Sequence, residues 1–311
     1  MTEQYWGWLV AIYLFLGGMG AGAFLIAAVI ELSGKRYEQE YCPTTLVGAG
    51  ISGPLIVIGT VLLIFDLGAG LREPWRIVNM FTNLSSVMTW GIWILSFFIP
   101  IAFVYGVLEV MHVYPGILEW LRKWLRFLPE TLPYRAIKRI VCSIGILLAL
   151  GTALYTGVLL SVVQAVPLWS TPILPVLFLI SAVSTGMALS LDLSATVMVP
   201  DTPHRFKRLP LIHIALIGLE IIVLAVFFYI AFQKGGEAAE SVQLILTGEG
   251  SLIFWVMVAG LGLVFPLVLN VYALLRGSHG HVVGILAGAA IVVAGLFVRY
   301  LIVAAAIPVT V

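Results

Sequence analysis

The chain has 311 residues, of which 61% are hydrophobic and 10% charged, whereas soluble globular domains run at about 45–50% apolar and about 25% charged. That composition excludes a soluble protein, and it is the reverse of the disordered signature of low hydrophobicity and high net charge. Lys and Arg number 16 and Asp and Glu 15, for a net +1, which offers nothing to nucleic acid and no polybasic anchor. Its two cysteines, Cys42 and Cys142, are too few for an iron–sulfur cluster or closed zinc site of about four ligands.

A bilayer core about 30 Å thick asks for about 20 apolar residues per helix. Runs of this kind occur at 6–30, 45–65, 88–108, 141–164, 173–199, 212–232, 252–275 and 282–307, and helices satisfy the backbone in lipid. The first run starts with Trp6 and Trp8, just after Tyr5, lacks a basic leader and is too long for a signal-peptide core, so it reads as a permanent helix. Within it, Gly17-Gly18-Met19-Gly20-Ala21-Gly22 has no preceding strand. It reads as a helix-packing face, with a bound ring against it as the other reading, and not as a phosphate loop. Between runs three and four, the stretch 109–138 is basic and amphipathic and is expected to lie on the headgroups. Gly20-Ala21-Gly22-Ala23 in run one and Thr185-Gly186-Met187-Ala188 in run five favour a repeat of two four-helix bundles, 1–164 and 165–311, within a single membrane domain.

Eight spans put both termini on one side of the membrane. Alternate loops hold Lys35, Arg36, Arg122, Lys123, Arg126, Arg135, Lys138, Arg139, Arg205, Lys207, Arg208 and Arg276, against Arg72, Arg76, Lys234 and Arg299 on the other side. The positive-inside rule makes the first set cytoplasmic and both termini external.

Ionisable groups within spans are costly and mark candidate function. Glu220 lies nine residues past Leu211, about 13 Å into its helix, as the carboxylate nearest mid-membrane. Glu109 and Asp192 lie toward the cytoplasmic ends, where solvation is the ordinary expectation. Asp66 closes run two on the external side, facing either a clamp with Arg72 and Arg76 or a chemical role. Tyr13 and Tyr155 fall about 10 and 13 Å from the external boundary, so two phenols share a depth, each free to hold a ligand carbonyl or to bond a neighbouring helix. A haem would need facing histidines; His112 and His213 are near cytoplasmic helix ends, where snorkelling is the ordinary reading, and no haem or metal is expected in this chain.

Several stretches together resemble the NrfD/PsrC family, the polytopic membrane subunits of polysulfide, nitrite and related respiratory oxidoreductases. They are Trp6-Gly7-Trp8 through Tyr13-Leu14-Phe15-Leu16-Gly17-Gly18, Asp66-Leu67-Gly68 with Pro74-Trp75-Arg76, Ser85-Ser86-Val87-Met88-Thr89-Trp90-Gly91-Ile92-Trp93, and Tyr155-Thr156-Gly157-Val158-Leu159-Leu160-Ser161. Leu174-Pro175, Ser184-Thr185-Gly186, Phe254-Trp255 and Arg299-Tyr300 extend the likeness over almost the whole chain. The resemblance implies a haem-free, quinone-reactive subunit of a bacterial or archaeal cytoplasmic membrane. Its external face would bind a ferredoxin-like iron–sulfur protein, which in turn serves a molybdopterin or multihaem cytochrome catalytic subunit. It also implies a quinone pocket near the external side. Tyr13 and Val10 stand where a better-studied member has histidine and asparagine, and Tyr155 is the position carried over as a donor to a quinone carbonyl.

The expectation is thus an all-α polytopic membrane protein of eight transmembrane helices that exchanges electrons with menaquinone or ubiquinone as bound substrate. Tyr13 and Tyr155 would orient the head group, Asp66 would accept protons, Arg76 and Arg299 would set the local potential, and Glu220 would sit on a proton route to the cytoplasm. A proton-coupled secondary transporter is the rival reading, built on Glu220 and the glycine-rich helices; an inert anchor is the third.

Overall fold

The computed structural model describes residues 7–34, 42–66, 81–83, 85–114, 116, 134–197, 209–276 and 281–309. The described residues are helical and contain no strand. The helices are α1 (Trp8–Leu32), α2 (Cys42–Asp66), α3 (Val87–Val113), α4 (Tyr134–Ser161), α5 (Ile173–Val197) and α6 (Leu209–Lys234). A short α7 (Gly236–Leu246) follows, then α8, made of Ser251–Ile253, a π-helical stretch Phe254–Val264 and Phe265–Arg276, and finally α9 (His281–Ala304). All but α7 are long and apolar enough to cross a bilayer, eight in number. Leu147, Leu252 and Leu275 are 71, 74 and 81% exposed, which suits side chains turned to lipid.

Each helix of α1–α4 contacts its neighbour in sequence, and α4 returns to α1; α5, α6, α8 and α9 close a second ring in the same way. The rings meet where α1 lies against α5 and α9, and α5 against α2 and α4. The α1–α5 crossing is possible because both helices are bare there. A Cβ on Gly22 would overlap the Ala182 carbonyl, and one on Gly186 would overlap the backbone of Gly22 and Ala23. The two small-residue steps that resemble each other in sequence therefore pack on one another, which accounts for the glycine run as a close-packing face.

Three departures from the sequence expectation have physical causes. α4 begins at Tyr134, seven residues before the apolar run, because Lys138 is only 1% exposed and is neutralised by carboxylates from other helices. The ends of the expected headgroup-lying stretch belong to α3 and α4, and 117–133 lies outside the described residues. The expected loop after α6 instead holds α7, whose Ala238, Ser241, Val242 and Ile245 are buried at the spacing of one apolar helical stripe. In α8 the π-helical stretch ends just before Pro266, whose ring is incompatible with a regular bond to the carbonyl four residues back.

Candidate functional site

Tyr13 and Tyr155 come together, as equal depth suggested. Both line one cavity between α1, α2, α3 and α4, with Leu14 and Gly17, Gly59 and Thr60, Leu95 and Thr156 among its walls. The cavity lies at the end of the ring where α1 and α3 start and α2 and α4 finish. Its volume is ≈ 30 Å³, room for about two waters.

The polar atoms of this wall are unequally engaged. Thr60, Thr152 and Thr156 donate to carbonyls of their own helices at 2.8, 2.9 and 2.7 Å. The Tyr155 hydroxyl stands 3.5 Å from the Met88 carbonyl, well beyond the usual O–H···O distance of about 2.7–2.8 Å, so its proton is available to a closer acceptor. Its ring fills the place a side chain at Gly91 would take, which fixes its direction. Tyr13 is 6% exposed and feels the charge of Asp66 and the phenol of Tyr155; no protein hydrogen bond to its hydroxyl occurs among the described residues. Asp66, the last residue of α2, is exposed beside this end. Two phenol donors, with a carboxylate whose charge reaches one of them, can hydrogen-bond a ligand's oxygens and receive its protons.

Arg299 is not part of that constellation. The cavity takes Tyr13, Leu14 and Gly17 from α1, while Arg299 meets α1 at Phe15 and Gly18 on another side. Its guanidinium is fully buried, lies 5.1 Å from the Phe178 ring centre, and donates to Ser181 Oγ at 3.2 Å and to the Gly295 and Phe178 carbonyls at 3.1 and 3.4 Å. Glu220 completes this second cluster: it is hydrogen-bonded by Ser181 and acted on by the Arg299 charge. The expected lone mid-membrane carboxylate thus lies within reach of the charge of Arg299 on α9 and of a serine of α5. Arg72 and Arg76 lie outside the described residues.

A third cluster sits at the opposite end of the first ring. Lys138 on α4 bridges Glu31 of α1, at 2.9 Å, and Glu109 of α3, with Tyr105 and Cys142 beside them. Glu109 is 0% exposed, which corrects the expectation of a solvated group. His112 is exposed on α3 and His213 buried on α6. No group of three metal-ligating side chains occurs among the described residues. Sequence reasoning missed Ser181, Glu31 and Lys138. The i, i+3 pair Ser181 and Ser184 on one face of an apolar helix could have pointed to the first, while nothing in the sequence joins Glu31 to Lys138.

The family model described as "Polysulphide reductase, NrfD" matches residues 1–310. A polysulfide reductase polypeptide of Wolinella succinogenes is 33% identical over 302 residues, covering 94% of this chain and 92% of that one. Protein NrfD of Escherichia coli is 28% identical, covering 85% and 84%, and a selenate reductase subunit of Mesobacillus selenatarsenatis is 22% identical, covering 85% and 66%. A match along nearly its whole length, on an eight-span helical fold, means that the chain belongs to the NrfD family of multi-pass membrane proteins.

Proposed function

We propose that this chain is the quinone- or quinol-reactive membrane subunit of a respiratory oxidoreductase complex in a cytoplasmic membrane, with both termini external. Electrons pass between the menaquinone or ubiquinone pool and an external iron–sulfur subunit that serves a molybdopterin or multihaem catalytic subunit. The observation that carries this reading is the pairing of Tyr13 and Tyr155 on one apolar cavity, with the charge of Asp66 acting on Tyr13. The names of the relatives, which belong to polysulfide and selenate reductases, support a reductase assembly.

Quinol oxidation releases two electrons and two protons, so the site needs partners for both ring oxygens, a proton acceptor and a nearby electron acceptor. Tyr155 and Tyr13 donate to the ring oxygens, and Asp66 or its water takes the protons; Arg76 sets the local potential. Arg299 acts on the site only through α1. The cavity volume of ≈ 30 Å³ holds waters and no ring, so head-group entry displaces them and turns wall side chains outward. Cross-linking with an azidoquinone in the assembled complex tests the location: adducts on the α1 and α4 peptides carrying Tyr13 and Tyr155 support it, and adducts confined to α5, α6, α8 or α9 refute it.

A proton-coupled secondary transporter is the second reading, favoured by the buried Glu220 carboxylate, on which the charge of Arg299 acts. It requires substrate-dependent ion flux by this protein alone in vesicles, without a redox partner.

A further inference from the structure

The cavity that holds Tyr13 and Tyr155 has room for waters and none for a ring, so a larger guest must reach it through one of the seams between α1, α2, α3 and α4. On the α1–α2 seam, a Cβ at Gly59 would stand 3.2 Å from the Tyr13 carbonyl and the Gly17 nitrogen. On the α3–α4 seam, the Tyr155 ring lies on Gly91 and Ile94 lies on Gly151. The α1–α4 seam is backed by α5, which packs on both helices. These three are closed at the depth of the cavity. The α2–α3 seam has its close contacts elsewhere: Gly53 against the Phe103 ring and Gly106 against the Ala49 carbonyl, in the half of each helix remote from the cavity.

Those two contacts fix an antiparallel register. Carried along the helices, it sets Val57 opposite Ile99, Thr60 opposite Leu95 and Ile64 opposite Ile92. On α2, Val57, Thr60 and Ile64 follow Gly53 by four, seven and eleven residues; on α3, Ile99, Leu95 and Ile92 precede Gly106 by seven, eleven and fourteen, the spacing of one helical face. Ala49, Gly53 and Gly106 are buried, whereas Val57, Thr60, Ile64, Ile92 and Ile99 are only half-buried, so the seam is tight in one half and loose in the other. Thr60 and Leu95 also line the cavity, and the loose half therefore leads into it. The change falls at a proline on both helices, Pro54 just past Gly53 and Pro100 between Ile99 and Phe103. Neither proline can donate to the carbonyl four residues back, that of Gly50 or of Ser96, and interior prolines are where helices bend.

We propose that the α2–α3 seam is the passage by which a quinone-class ligand, a polar ring on a long apolar tail, moves between the bilayer and the cavity. The halves of α2 and α3 beyond Pro54 and Pro100 part as a hinged pair, while the contacts at Gly53 and Gly106 hold the two helices together. The ring passes between Thr60 and Leu95, and the tail trails through the seam into lipid. The passage rests on the quinone reading and adds its route, since a ligand arriving from water has no need of a seam that faces lipid.

The test uses the assembled complex, depleted of quinone, carrying Ile64→Cys with Ile92→Cys, joined as a disulfide after assembly, and reads the rate of labelling by an azidoquinone. With the seam free, adducts form on the peptides carrying Tyr13 and Tyr155. With it locked, their rate should fall at least about tenfold, a barrier raised by about 1.4 kcal/mol, and should return when the disulfide is reduced. A control lock across the α3–α4 seam, Ile94→Cys with Gly151→Cys, should leave the rate unchanged. Equal rates with the α2–α3 seam free and locked, or equal slowing by both locks, overturn the passage and leave the quinone site standing. Absence of cavity adducts with the seam free overturns the quinone reading itself, and failure of the Ile64–Ile92 pair to join overturns the register on which the passage is built. Pro54→Ala with Pro100→Ala should slow labelling severalfold, and an unchanged rate in the assembled variant overturns the hinge.

Discussion

Replacing Lys138 by methionine removes a cation that the structure places between Glu31 and Glu109. Lys138, Glu31 and Glu109 have side-chain exposures of 1, 9 and 0%, so solvent cannot screen the carboxylates left behind. Deleting one member of a buried ion pair costs about 3–5 kcal/mol, against which the regained packing of methionine is a minor offset. Glu109→Gln behaves differently, because Lys138 keeps its contact with Glu31 at 2.9 Å, and its cost should stay near about 1 kcal/mol. The triple change Lys138→Met, Glu31→Gln, Glu109→Gln removes all three charges and should recover most of the loss, since an uncharged core of similar volume often equals a buried pair. Thermal unfolding of the purified complex, with subunit retention read in parallel, orders the variants: Lys138→Met far below the parent, Glu109→Gln close to it, the triple variant between. A Lys138→Met complex as stable as the parent would refute the assignment of the cluster as the tie between α1, α3 and α4.

Gly22→Ala places a methyl group on the Ala182 carbonyl and should cost about 1–3 kcal/mol through overpacking. Gly50→Ala, where nothing lies within 4 Å, should leave assembly unchanged; equal yields of both would mean that the α1–α5 crossing is looser than described. For orientation, an impermeant thiol reagent applied to intact cells should label a cysteine placed at Thr82 and miss one at Arg126. The reverse pattern would move the docking face to the cytoplasm.

The spans were legible because lipid imposes length and apolarity on every helix, so a count of apolar runs carries most of the architecture. Depth was legible too, and counting from helix ends brought Tyr13 and Tyr155 to one level, where the structure has them on one cavity. Azimuth was not. Glu220 and Arg299 were assigned to separate roles because nothing in either helix says which face meets which, and their link runs through Ser181 on a third helix. Lys138 interrupted the apolar run of α4 and so looked like loop; its burial is explained by Glu31 and Glu109, which are remote from it in sequence.

The central claim, that the cavity between α1 and α4 receives the quinone head group, is tested most directly by Tyr155→Phe. The ring that rests on Gly91 is kept and one donor is lost, leaving a buried ring oxygen without its partner at a cost of about 1–3 kcal/mol, or roughly 5- to 150-fold in rate. In a complex that retains all of its subunits, quinol-coupled electron transfer should fall by that factor while turnover with an artificial donor to the catalytic subunit stays at the parent level. Unchanged quinol-coupled kinetics together with unchanged quinone content would contradict the account.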